Sequence, residues 1–167
     1  MERRRSCFGH FEELLYSTLD WAICDDDGHT FILGRTDDVI NVAGHRLGTR
    51  AIEEAIAGHA DVAEVAVIGM HDELMGQVPL VFAALKQQAA PDAANTSAAQ
   101  LRQCVVERLG AVARPAQVYL VQALPKTCSG KLLRRSLQAL AEQRDPGDLS
   151  TLDDPGALDE IGRVLAR

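Results

Sequence analysis

The chain has 167 residues, 47% of them apolar, and a formal net charge of −7. That suits one domain, or one domain and a piece of another, with enough apolar side chains for a core. The acidic balance excludes a general nucleic-acid binder, which needs a basic excess against phosphates, so any phosphate site must be local. Cys7, Cys24, Cys104 and Cys128 show no paired spacing. Neither a zinc site nor a disulfide framework is indicated, and a reducing compartment, the cytoplasm, is expected. No apolar run is long enough to span a membrane. The basic start Met1 to Arg5 lacks the apolar stretch of a signal peptide, and the HDEL at His71 to Leu74 is internal and cannot act as a retention signal.

In chain order, Phe8, Phe11, Leu14 and Leu15 fall at roughly helical spacing. Ala22 to Cys24 and Thr30 to Leu33 are β-prone runs around Asp25-Asp26-Asp27-Gly28, and Asp-Gly predicts a tight hairpin turn. Val39 to Val42 predicts a strand, with Gly44 and Gly48 bracketing His45-Arg46-Leu47 in a return that completes a second hairpin. Thr49 is placed to cap a helix with Ile52, Ala55, Ile56 and His59 on one face. Val62 to Met70 and Val78 to Leu85 are strand-length apolar runs, separated by a polar turn. Gln87 to Thr96 has loop composition. Ser97 to Gln100 is a capping box opening a helix that buries Leu101, Cys104, Val105 and Leu109 and stops at Gly110. Val118 to Val121 predicts a strand and Lys131 to Gln143 a helix with Leu133, Leu137, Leu140 and Ala141 inward. Pro155 starts a last helix using Leu158, Ile161 and Leu165. Strands and helices alternate irregularly, which predicts an α+β fold.

Two stretches carry candidate chemistry. Gly34 to Gly48, GRTDDVINVAGHRLG, sets Arg35 and Arg46 near an Asp37-Asp38 corner, with Gly44 permitting close approach to the backbone. That suits a phosphate-bearing ligand; a hairpin with a solvated charged end is the alternative. In PKTCSGK, Gly130 precedes Lys131, a single projecting ammonium. The missing upstream glycine and the following Leu132 exclude a P-loop, and an ordinary exposed lysine beside Arg134 and Arg135 is again the plain alternative.

Taken together, Tyr16 to Trp21 (YSTLDW), Asp25 to Arg35 (DDDGHTFILGR), the Gly34 to Gly48 motif and Leu124 to Arg135 (LPKTCSGKLLRR) resemble, in order, the signatures of acyl-adenylate-forming enzymes. The short-chain acyl-CoA synthetases are most similar. The tail Arg144 to Pro155, RDPGDLSTLDDP, resembles propionate-CoA ligases more than acetyl-CoA synthetases. The likeness runs from about Tyr16 to the end and leaves out the first fifteen residues. It implies that residues 35–167 are the C-terminal domain of such a ligase. Residues 1–34 would be a non-family start followed by the terminal hairpin of an adenylation domain whose remainder is expected to be missing or separately encoded.

The resemblance also implies roles. Lys131 matches the lysine that serves acyl adenylation, where a compact ammonium bridging acyl oxygen and α-phosphate offsets charge building up between two anions. Asp20 matches the aspartate on the nucleotide's ribose hydroxyls, Arg35 a nucleotide-contacting arginine and Arg46 one that meets the phosphates. Asp37 matches the hinge of domain rotation, and Ala43 and Gly44 the strand lining the pantetheine tunnel. Ala57, His59 and Val62 match positions that hold a metal in some relatives, although His59 reads equally as a helix-end histidine. ATP or AMP, CoA and Mg are implied for the parent family, with none expected to bind tightly to this chain alone. Two departures stand out: Cys128 replaces a usual arginine, and Val106 a basic CoA contact. The Pro125-x4-Gly130-Lys131 spacing resembles the one read by a protein acetyltransferase, which implies acylation of Lys131 and reversal by a deacylase.

The expected function is therefore that of a C-terminal fragment of an AMP-forming ligase (propionate or acetate, ATP and CoA to acyl-CoA, AMP and pyrophosphate), inactive alone. The alternatives are a detached subunit completing a separate adenylation domain, or a non-catalytic lysine-acylation substrate or binding module. No nucleic-acid or membrane partner is expected.

Overall fold

β-Branched and apolar runs make up most of the strands. The computed structural model describes residues 18, 20–35, 38–87 and 91–166; the helically spaced Phe8, Phe11, Leu14 and Leu15 and the Asp37 hinge lie outside them. The chain divides into two compact units, Met1–Val39 and Ile40–Arg167.

In the first unit, β1 (Asp20–Cys24) pairs antiparallel with β2 (Thr30–Arg35). The connection differs from the expected tight Asp-Gly turn. It is a five-residue loop organised by Asp25, whose Oδ1 accepts from the N–H groups of Asp27 (3.1 Å) and His29 (2.8 Å). A short carboxylate closing its own loop competes effectively with a two-residue turn. Ile23, Phe31 and Ile32 are exposed.

The second unit is a mixed α and β domain. Its five-stranded sheet runs β4 (His45–Gly48), β3 (Val39–Val42), β6 (Gly76–Leu85), β5 (Val62–Asp72), and β7 (Gln117–Val121) also pairs with β6. β5 and β6 are antiparallel from Val62↔Leu85 to Asp72↔Gly76, whereas β7 runs parallel to β6. Four helices follow the expected order: α1 (Thr49–Ala57), α2 (Pro91–Leu109), α3 (Arg134–Ala141) and α4 (Pro155–Leu165).

Alternate residues of β5 and β6 serve opposite faces of the sheet. Val67, Val81 and Ala83 join Ile52 and Ile56 of α1 and Leu101 and Val105 of α2 in one core. Ala66, Ile68, Leu80 and Phe82 join Leu137 of α3 and Ile161 of α4 in the other. Both faces are covered, which is why these strands read as continuous apolar runs rather than alternating ones. Full burial of Phe82, stacked on Tyr119 at 5.3 Å, contributes about 1.5–3 kcal/mol.

Four boundaries differ from expectation. Gly48 is the extended N-cap of α1, so Thr49 is the first helical residue and its buried hydroxyl has no partner. His59 lies past the Gly58 C-cap, half-buried, rather than on the helix face. α2 starts at Pro91, so the loop expected to Thr96 is shorter and Ser97 sits inside the helix. Pro at a first helical position and the following alanines favour that earlier start. α3 starts at Arg134, leaving Lys131 to Leu133 before the helix. By contrast α4 begins at Pro155 as expected, with Asp154 Oδ1 accepting from Gly156 N–H at 2.8 Å.

Candidate functional site

The β3–β4 connection is two residues long, and both have positive φ: Ala43 at 49° and Gly44 at 84°. Such a pair matches the right-handed twist of the flanking strands. Gly44 accepts this conformation freely, whereas Ala43 is strained by it. The turn is held from the side by Ala43 N–H, which donates to Met75 O at 2.7 Å, and by Asn41 N–H, which donates to Gln77 Oε1 at 2.8 Å. Ala43, Gly44 and Arg46 are exposed. In the other unit, Asp20 and Arg35 are opposite one another in the β1–β2 ladder, and Arg35 Nη1 lies 3.7 Å from Asp20 Oδ1. A carboxylate and a guanidinium are thus held as neighbours on one hairpin.

Lys131 is the last residue of a closed turn. Thr127 N–H donates to Lys131 O (2.8 Å), Lys131 N–H to Thr127 Oγ1 (3.1 Å) and Gly130 N–H to Thr127 O (2.7 Å). Gly130, at φ 79°, supplies a reversal that a side chain would oppose. A bridge between Lys126 and Leu132 closes the stem, and the tail closes the other side: Cys128 N–H donates to Thr151 O (3.0 Å) and Asp153 N–H to Lys126 O (2.9 Å). Lys131 is exposed at the tip of this frame. The other two lysines are engaged, Lys126 with the Glu64 carboxylate and Lys86 with Ala60 O at 2.6 Å.

No described hydrogen bond or ion pair links the side chains of Lys131 or Arg46 to another candidate residue. Ala57 ends α1, His59 follows it, and Val62 opens β5. His59 Nδ1 accepts from Asp61 N–H at 3.4 Å. The same nitrogen lies 3.9 Å from Asp61 Oδ2. Among the described residues one cluster has metal-ligand chemistry, the exposed Asp25, Asp27 and His29 of the first hairpin. Among the described residues no helix is long and apolar enough to cross a membrane.

Residues 51–131 match the AMP-binding enzyme C-terminal domain. This stretch is an AMP-binding enzyme C-terminal domain. Over 158 residues the chain is 52% identical to a propionate–CoA ligase of Escherichia coli (strain K12), covering 93% of this chain and 25% of the relative. It is 43% identical over 160 residues to an acetyl-coenzyme A synthetase of Pyrobaculum aerophilum, covering 96% and 23%. The crystal structure of ATP-bound MatB from Rhodopseudomonas palustris is similar with a TM-score of 0.68 at 26% identity, over 82% of this chain and 26% of that one. The chain therefore spans about a quarter of the length of these relatives.

Within this C-terminal domain, sequence reasoning missed the groups that hold the Lys131 turn. Glu53 accepts from both Val67 N–H (2.9 Å) and Arg134 Nη2, the latter at 2.7 Å through each oxygen. Glu64 takes Lys126. A glutamate in a helix's first turns reads as a dipole partner, and nothing in local spacing joins it to an arginine 81 residues away.

Proposed function

We propose that this chain is the C-terminal part of an AMP-forming short-chain acyl-CoA ligase that activates propionate or acetate, and that it needs an adenylation domain in order to act. The observation that carries this reading is the exposed Lys131 at the tip of a braced turn, in a chain about half identical to a propionate–CoA ligase. In the first half-reaction a carboxylate oxygen attacks the α-phosphorus of ATP, forming the acyl-phosphate bond and expelling pyrophosphate. Lys131 would lie between the two anions, where an ammonium counters the charge developing at the reacting centre. Asp20 would accept from the ribose hydroxyls while Arg35 and Arg46 meet the nucleotide. Asp37 would then serve as hinge, bringing Ala43 and Gly44 to the pantetheine arm, whose thiolate attacks the acyl carbon and releases AMP. ATP with its Mg, and CoA, are substrates of the assembled enzyme.

The test adds this chain to an adenylation domain made by truncating a propionate–CoA ligase, with AMP and pyrophosphate release as readout. Turnover that requires both parts and is lost in Lys131→Ala is the expected result. Absence of turnover with every adenylation domain tried would point instead to the second reading, a lysine-acylation substrate. That reading is favoured by the engagement of Lys86 and Lys126 beside an exposed Lys131.

A further inference from the structure

α1 and α3 lie on opposite faces of the sheet, since Ile52 and Ile56 join one core and Leu137 the other. Between them runs β5, whose described pairing is with β6 alone. Glu53 of α1 accepts the Val67 N–H of that unpaired side, and the same carboxylate takes Arg134, the first residue of α3. An ion pair therefore reaches round the strand edge and joins the two helical layers. Arg134 stands three residues after Lys131, and Lys126, at the other stem of the turn, is held by Glu64 of the same strand. Both stems of the turn are thus anchored to carboxylates, Glu64 on β5 itself and Glu53 of α1 bonded to the edge of β5.

The two anchors are unequal. The Glu53 side chain is 14% exposed, binds Arg134 through both oxygens and carries a backbone N–H as well; the Lys126 and Glu64 side chains are 35% and 41% exposed. Both oxygens meet the same Arg134 nitrogen, Nη2. Although the Arg134 side chain is 34% exposed, the mostly buried Glu53 carboxylate with two donors holds its geometry better than the more exposed Glu64 with one.

We propose that Glu53 is a positioning residue for Lys131, acting through Arg134 to fix the exit of the turn. It rests on the reading of Lys131 as the functional lysine, but its test needs no acyl chemistry. Amide exchange is measured by NMR on the full chain and on Glu53→Gln, Arg134→Met and Arg134→Lys variants. Charge-assisted bonds exceed neutral ones enough that Glu53→Gln and Arg134→Met should speed exchange at Gly130 and Lys131 by roughly tenfold, with Val81 and Phe82 unchanged. Arg134→Lys, which keeps a cation against the carboxylate, should retain most of the protection. A role in packing alone would be kept by Met, which replaces the aliphatic stem without the charge. Unchanged exchange at Gly130, equal acceleration at Val81, or protection kept by Met would each overturn the proposal. Failure of the ligase reading would appear separately, as activity indifferent to Lys131→Ala.

Discussion

Thr127 and Lys131 hold each other twice: the Thr127 N–H donates to Lys131 O at 2.8 Å, and the Lys131 N–H donates back to Thr127 Oγ1 at 3.1 Å. The lysine backbone is thereby fixed while its side chain stays in solvent, the arrangement that lets one ammonium be offered repeatedly in one place. Thr127→Val keeps the β-branched shape and the first bond but loses the second, together with the 2.9 Å hydrogen bond between Thr127 Oγ1 and Ser129 Oγ. Removing one such bond costs about 0.5–1.5 kcal/mol. Exchange at the Lys131 amide should rise by the corresponding factor while Gly130, bonded to Thr127 O, keeps its rate. Equal change at both amides would mean that the hydroxyl is not what holds Lys131.

Ala43 offers a test of strain. Its φ of 49° is a left-handed conformation in a non-glycine residue, which costs about 1–2 kcal/mol. Glycine removes that cost but gives up about 0.4–1 kcal/mol through the more flexible unfolded chain. Ala43→Gly should therefore raise stability in urea by a net of roughly 0.5–1 kcal/mol. Gly44→Val, which forces a branched side chain to the same sign of φ, should lower it. A loss of stability in Ala43→Gly would show that the turn relaxes in solution.

The two cores invite a comparison of the two units. Phe82 is fully buried between the sheet and its helices, so Phe82→Ala should cost about 3–5 kcal/mol and broaden or abolish the cooperative transition. Phe31 and Ile32, 55% and 70% exposed on the first hairpin, should change stability little when replaced by Ser. Native-state exchange checks the same point. Val65 to Ile68 should be protected and Phe31 to Leu33 should not, because a two-stranded hairpin is marginal by itself. Comparable protection at both would show that the hairpin has found a covering surface.

The elements most legible in the sequence were those with a strong period or a hard punctuation mark. Val62 to Leu85 read correctly as two buried strands because both faces of the sheet are covered, and Pro155 and Gly110 marked helix ends that the backbone uses. The start of α2 was hidden because Gln87 to Thr96 is polar, while helix formation there depends on Pro91 and on packing further along at Leu101 and Val105. Of the site, the Lys131 turn and the Ala43-Gly44 turn are local and were visible as glycine-flanked motifs. Glu53, Glu64 and Thr151 were not, since each acts on a partner brought by the sheet or the tail. The Asp20 and Arg35 pairing follows from hairpin register, which the loop around Asp25 sets and which no single residue advertises.

A prediction about activity follows from what the chain holds. One lysine on a braced turn can offset charge, but positioning of both reactants supplies most of the acceleration in phosphoryl and adenylyl transfer. Incubated with ATP, Mg, CoA and propionate or acetate, the chain alone should release AMP and pyrophosphate no faster than Lys131→Ala. Turnover above that control would mean that the 167 residues bind nucleotide and acid unaided.

The last prediction concerns modification. The chain has three lysines, and two have occupied side chains: Lys126 against Glu64, and Lys86 on Ala60 O. Acylation requires the ammonium to lose one proton to water; the neutral, accessible amine then attacks a thioester carbonyl, forming the amide bond and breaking the C–S bond, and its second proton goes to the departing sulfur, which leaves as CoA thiol. An amine engaged by a carboxylate or a carbonyl must first leave its partner and is slower to react. Lys131, exposed on a glycine-flanked turn, should take most of the label from a protein acetyltransferase with acetyl-CoA, and a deacylase should remove it. Because acylation removes the charge, the modified chain should fail to support pyrophosphate release in the two-part assay while still supporting thioester formation from supplied acyl-adenylate. Peptide mass spectrometry locates the mark. Label spread evenly over Lys86, Lys126 and Lys131, or unchanged in Lys131→Arg, would show that the turn is not what the modifying enzyme reads. Label confined to Lys131 with both half-reactions intact would separate its exposure from any part in the chemistry.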